Sequence, residues 1–170
     1  YKRQIHTRAD GLVTLEFDEG GTLQIAPNAI ARVLSARRRS GGDVVETTIE
    51  VERGEIERRV PTSERLTHDA KIVTRDVNLG VRGTEFTVTV LQAGTGLSVT
   101  HGAVAATDTI GNQAQVAAGY GVAITDAGLQ AITVLPEAPE PVAPLTGARV
   151  TNSGTLLQWR SEGAKTLSLI

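Results

Sequence analysis

The sequence contains no cysteine and no methionine. Without cysteine there are no disulfides, no zinc thiolates and no thiol catalysis. A chain that opens at Tyr1 and carries no Met reads as a piece of a longer protein, so a signal peptide or anchor is expected outside it. Aromatic side chains are scarce: Tyr1, Phe17, Phe86, Tyr120 and Trp159 are all there are, so any core must be aliphatic. No apolar run approaches the roughly 20 residues that span a bilayer. The net charge of −2 gives the chain no strong general attraction to nucleic acid or anionic lipid. Neither a nucleic-acid partner nor a membrane span is therefore expected within these residues.

Val, Ile, Thr and Gly are abundant instead. β-Branched side chains pack well on a pleated surface, and Gly supplies the corners between short strands. The expected fold is all-β, a sandwich or barrel of many short strands. Charge is uneven: residues 1–82 hold 14 of the 17 Lys and Arg and 13 of the 19 Asp and Glu. The rest is bland and rich in small residues.

Alternation marks the strands. Residues 5–8 and 12–17 flank Asp10-Gly11, a hairpin signal. Val13, Leu15 and Phe17 share one face, Leu12, Thr14 and Glu16 the other. Residues 22–26 and 29–36 follow as strands, with Pro27-Asn28 between them as a turn. Residues 37–42, Arg37-Arg38-Arg39-Ser40-Gly41-Gly42, read as an exposed loop: a solvated hairpin tip in the plainer reading, a phosphate or lipid-headgroup patch in the sharper one. In residues 44–60, Val45, Thr47, Ile49 and Val51 share one parity, and Ile56, Arg58 and Val60 the other. A turn or bulge is expected near Arg53-Gly54. Glu46, Glu50, Glu52, Glu55 and Glu57 resemble paired catalytic carboxylates only superficially. An outer face on which they pair with Arg53, Arg58 and Arg59 is the favoured reading.

Residues 61–69 look irregular and residues 71–75 strand-like. Residues 84–91 form a long strand with Phe86, Val88 and Val90 inward. Further strands are expected at 97–101, 103–107, 113–118 and 122–125, joined as hairpins through Gly94 and Gly96, Gly102, Gly111, Gly119 and Gly121. Four of the six prolines lie in residues 136–144, an extended, semi-rigid spacer. The expected division is a β domain over 1–135, a linker over 136–147 and, over 148–170, the first strands of a second, truncated sandwich. Trp159 is expected in that second core rather than as a sugar-stacking platform.

Residues 71–90 contain Val81-Arg82-Gly83-Thr84-Glu85-Phe86-Thr87-Val88. This string resembles the signature of the FecR domain, with Val81, Arg82, Gly83, Thr84, Phe86 and Val88 as the matching residues. The strand and turn at 21–28, the Gly-centred stretch at 52–57 and the Gly corners at 101–104 and 118–121 agree in order, so the resemblance covers residues 10–125. It implies a periplasmic β-sandwich of jelly-roll type that works by protein contacts in the cell envelope. The best-known relatives relay iron-siderophore status to a sigma factor; others belong to larger envelope proteins, some beside peptidoglycan-binding LysM modules, and this chain is placed with the latter. The spacer and Trp-bearing strand are similar to relatives that carry an immunoglobulin- or fibronectin-like domain downstream.

Read from the residues, Arg82 has five donors in a fixed fork. It either ties loop carbonyls at a sandwich edge, the favoured reading, or grips a carboxylate or sugar of a ligand. His6, His68 and His101 have no metal-ligand spacing. No catalytic residue, cofactor or metal site is expected. The expected partner is another envelope protein, with peptidoglycan as the alternative. Arg37, Arg38, Arg39 and Tyr120 are the candidate binding surface.

Overall fold

The structure, a computed structural model, describes residues 3–18, 20–39, 42–63, 65–137, 140–143, 157–160 and 168–169. The chain divides into two units between Val134 and Leu135. No helix occurs among the described residues. The first unit contains β1 (Arg3–His6), β2 (Val13–Glu16), β3 (Thr22–Ile25), β4 (Ile30–Arg38), β5 (Val44–Arg59), β6 (Thr67–Val73) and β7 (Val77–Val81). It continues with β8 (Glu85–Leu91), β9 (Gly94–His101), β10 (Ala103–Asp108), β11 (Gln113–Ala117), β12 (Tyr120–Thr125), β13 (Gly128–Leu129) and β14 (Thr133–Val134).

One strand organises the rest. The first part of β5 pairs with β4 and, in parallel, with β6. Its last part pairs with β3 and β8. The first sheet therefore runs β1-β4-β5-β6-β7-β10-β11 and the second β2-β3-β5-β8-β9-β12, with β13 and β14 on the far side of β12. Every pairing except β5 with β6 is antiparallel. The inner faces meet in one aliphatic core, including Ile49, Ile72 and Leu79 from the first sheet and Leu23, Ile56, Phe86, Leu97 and Ile124 from the second.

The parity change in β5 is what lets it serve both sheets. Val45, Thr47, Ile49 and Val51 are buried, then Ile56, Arg58 and Val60. Ile30 opposes Arg53 while Ala31 opposes Val51, so Glu52 is the extra residue of a bulge. Because the side-chain period is two, one extra residue turns the opposite parity inward. Gly54 follows at φ +86°, with Ala29 so close that a Cβ would stand 2.5 Å from its Cα.

Several connections differ from expectation. Asp10-Gly11 does not close a hairpin: β1 pairs with β4, and β2 with β3. Gly102 and Gly119 likewise carry the chain between sheets, since β9 lies beside β8 and β12 while β10 lies beside β7 and β11. Turn chemistry sets where a chain reverses; burial of the next strand sets which sheet it joins. Residues 77–81, where the sequence suggests no strand, form β7 with Val77, Leu79 and Val81 buried. The irregular stretch also ends early, because β6 starts at Thr67 and turns His68, Ala70 and Ile72 inward.

The second unit, Leu135–Ile170, holds β15 (Glu140–Ala143), β16 (Leu157–Arg160) and β17 (Ser168–Leu169) in that order. Part of the expected linker thus pairs as an edge strand, with a register shift between Pro141 and Ala143. An edge is where a strand tolerates a proline that lacks an N–H. Trp159 lies on β16; its side chain is outside the described residues, and so is the choice between core and platform.

Candidate protein-contact surface

Strand register places the signature string, residues 81–86, at one end of the first unit. There β5 ends at Arg59 opposite Glu85, the start of β8. β7 ends at Val81 beside Val104 at the start of β10, and β9 ends at His101. The signature string is the connector between β7 and β8. Val81, Thr84 and Phe86 are buried, each at 2 % exposure or less, and fix the connector to the core. The Thr84 hydroxyl lies 2.9 Å from the Arg82 carbonyl oxygen and 3.1 Å from that of Ala103, and it donates to these acceptors. Its own carbonyl accepts from Val60 N at 2.8 Å. Gly83 adopts φ +57° and lies against the Thr62 methyl.

Arg82 breaks from its neighbours. Its side chain is exposed and makes no hydrogen bond or ion pair with any described residue. The expectation that it ties loop carbonyls is therefore corrected: Thr84 performs that task, which leaves the guanidinium free for another molecule. Two clefts flank the connector and share Pro61, Thr62 and Gly83. One, about 360 Å³, is rimmed by Arg59, Glu85 and His101; the other, about 300 Å³, by Ser63, Leu66, His68 and Arg82.

Arg58 lies beneath this end. It is only 2 % exposed, with its guanidinium 3.9 Å from the centre of the Phe17 ring. Nη1 donates to Thr22 O at 2.9 Å, while Nε has no partner among the described residues. Burial lowers its pKa to about 10. The sequence placed Arg58 on an outer face beside glutamates; its parity with Ile56 and Val60 wins instead. The glutamates of β5 instead pair with β4, Glu50 and Glu52 with Arg32, and Glu46 with Arg37 and Arg39. Hydrogen bonds from Arg37 and then Arg39 hold the Glu46 carboxyl below its ordinary pKa.

The arginine run is thus not a free patch. Arg37 and Arg38 belong to β4 rather than to a loop, and Arg38 Nε donates to Gly42 O at 2.6 Å. Tyr120 is 41 % exposed and opposes Val99 and Val134. It sits in the second sheet, whereas the arginines sit in the first. His6 lies on β1, His68 is buried on β6 and His101 is exposed. Among the described residues no three His, Asp or Glu side chains stand close enough to hold a metal ion. No helix of the described residues is long and apolar enough to cross a membrane.

A family model described as FecR protein matches residues 3–105, more than half of the chain. This chain belongs to the FecR family. Its FecR domain is similar in fold to two crystal structures of putative anti-sigma factors from Parabacteroides distasonis. The first aligns with a TM-score of 0.62 at 16 % identity, over 79 % of this chain and 60 % of that one. The second aligns with a TM-score of 0.60 at 13 % identity, over 83 % and 70 %. The chain therefore spans about three-fifths of the first of these proteins. None of the curated proteins matches it. The FecR match begins in β1 and ends in β10, so it takes in Arg58, Arg82 and both clefts and stops short of Tyr120.

Proposed function

We propose that this FecR domain is a non-enzymatic signalling module of the bacterial cell envelope, located outside the cytoplasm, and that it acts by holding another protein at the end built around Arg82. The observation that carries the reading is a division of labour within the signature string. Val81, Gly83, Thr84 and Phe86 hold the connector, and Arg82 presents an exposed guanidinium with no partner among the described residues at the rim of one of the two clefts. Family membership and the likeness to putative anti-sigma factors support a regulatory role. Peptidoglycan is the weaker reading, because Arg37 and Arg39 are already engaged by Glu46.

The test replaces Arg82 by Glu in the native gene and compares transcript profiles with those of the wild type and of a strain lacking the gene. The reading expects the variant to accumulate at the wild-type level and to reproduce the deletion profile. A wild-type profile from a strain with normal levels of the variant would refute it. An alkaline phosphatase fusion within the domain, active only outside the cytoplasm, checks the location.

A further inference from the structure

Arg58 is a buried cation that the fold satisfies only in part. It is 2 % exposed, and its Nε–H has no acceptor among the described residues. Its partners are Thr22 O, which accepts from Nη1 at 2.9 Å, and the face of the Phe17 ring. A buried donor without an acceptor costs stability, and a buried charge without a counter-ion costs more. An apolar side chain of similar length would avoid both costs. The retained charge is complementary to an anion.

The cover over Arg58 is a weakly held edge strand. β2 has four residues, pairs only with β3 and contains no fully buried side chain. Val13, Leu15 and, just beyond the strand, Phe17 pack against the core but stay half-buried. Segments with few buried apolar contacts open locally at low cost. Opening of β2 carries the Phe17 ring away from the guanidinium. It also frees the outer edge of β3, Thr-Leu-Gln-Ile, which bears no charge against an incoming strand.

We infer that β2 is an exchangeable strand, and that the site beneath it takes an extended segment of another protein that carries a carboxylate. The segment pairs antiparallel with β3 in the place of β2. The residues it replaces set its pattern: apolar side chains at the positions of Val13 and Leu15, and Asp or Glu at that of Phe17. Charge complementarity selects the carboxylate. The guanidinium is already dehydrated in the free domain, so pairing needs no further desolvation on that side and supplies the missing acceptor. An incoming strand without the carboxylate offers no more than β2 itself, and the tethered strand then wins by its effective concentration. The site adjoins the clefts near Arg82, because Gly21 lies against Pro61, which lines both. It does not rest on the Arg82 reading, since neither the exchange nor its test involves that side chain.

The probe is a labelled peptide copying residues 12–18 with Phe17→Glu, and the receptor is the full 170-residue chain. Fluorescence anisotropy should show saturable binding, at least about tenfold tighter than for the same peptide with Phe17→Gln. Arg58→Met in the chain should remove this preference. The absence of cysteine allows a lock. Thr14 and Gln24 oppose each other in the β2–β3 register, at a Cα separation of roughly 4.5–5.5 Å that a disulfide spans. Oxidised Thr14→Cys with Gln24→Cys should abolish binding, and reduction should restore it. Absence of binding, equal affinity for the two peptides, binding that survives the lock, or a preference that persists in Arg58→Met overturns the proposal. Should Arg58→Met not fold, the peptide comparison and the lock still decide.

Discussion

Replacing Gly54 by Ala tests the joint on which both sheets hang. Gly54 sits at φ +86°, where an L side chain costs about 1–2 kcal/mol. The added Cβ would also lie 2.5 Å from both Cα and Cβ of Ala29, whose backbone is held by the hydrogen bond from Thr7 N to Ala29 O at 3.0 Å. Overpacking of a close-packed site costs about 1–3 kcal/mol more. Gly54→Ala should therefore lose about 2–5 kcal/mol, read as a lower urea midpoint at unchanged slope. Gly83→Ala provides the contrast. It meets the methyl of Thr62, an exposed side chain that can turn aside, so its cost should stay near that of the positive φ alone, about 1–2 kcal/mol. Adding Ala29→Gly to Gly54→Ala should not restore stability, because the Cα of residue 29 remains in the way. A loss below about 1 kcal/mol, or full rescue by Ala29→Gly, would show that β5 does not need the close approach at its bulge.

Two further outcomes follow from buried charges. Burial lowers the Arg58 pKa to about 10, a loss of solvation worth about 3 kcal/mol at about 1.4 kcal/mol for each unit. The bond to Thr22 O and the Phe17 stack offset most of this, so Arg58→Met should stay within about 1 kcal/mol of wild type at neutral pH, as measured by urea unfolding. With the folded-state pKa below the unfolded one, the unfolded chain binds the extra proton, and wild type should gain stability relative to Arg58→Met as pH rises above about 10. Asp108 behaves in the opposite range. Burial raises its pKa, but hydrogen bonds from Leu129 N, the Asn112 side chain, Asn112 N and Ile110 N outweigh this and leave it below its ordinary 3.8. Its contribution is present above that value and lost as pH falls through the lower folded-state pKa, so Asp108→Asn should lower the urea midpoint at neutral pH and flatten its fall on acidification.

The legible parts of this fold are those where one strand's own pattern decides. The parity switch of residues 45–60, the inward set Phe86, Val88 and Val90, and the turn at Asn28, φ +59°, were all readable because period two and turn chemistry are local. Strand partners were not. Nothing near Asp10-Gly11 tells the chain that β2 joins the other sheet, since that choice depends on core volume supplied by residues far along the sequence. β7 is hidden in the sequence because Asn78 and Gly80 look like turn residues; its outward positions simply tolerate them. Charge points Arg58 outward, where parity and the Phe17 ring decide, and the donor fork of Arg82 suggests a tie to loop carbonyls, a duty that belongs to Thr84.

The uneven charge noted in the sequence has a structural consequence for association. The charged half supplies β1 to β6, and its arginines and glutamates interlock across β4 and β5. Those pairs are exposed and contribute little stability each. Their effect is on recognition: a copy or stray strand approaching β1 or β2 meets fixed charges that it must leave hydrated or unpaired, a cost that added ladder bonds do not repay. The bland half supplies β8 to β14. Arg82 closes the charged half with an exposed side chain that has no partner among the described residues, and the proposed function rests on that charge.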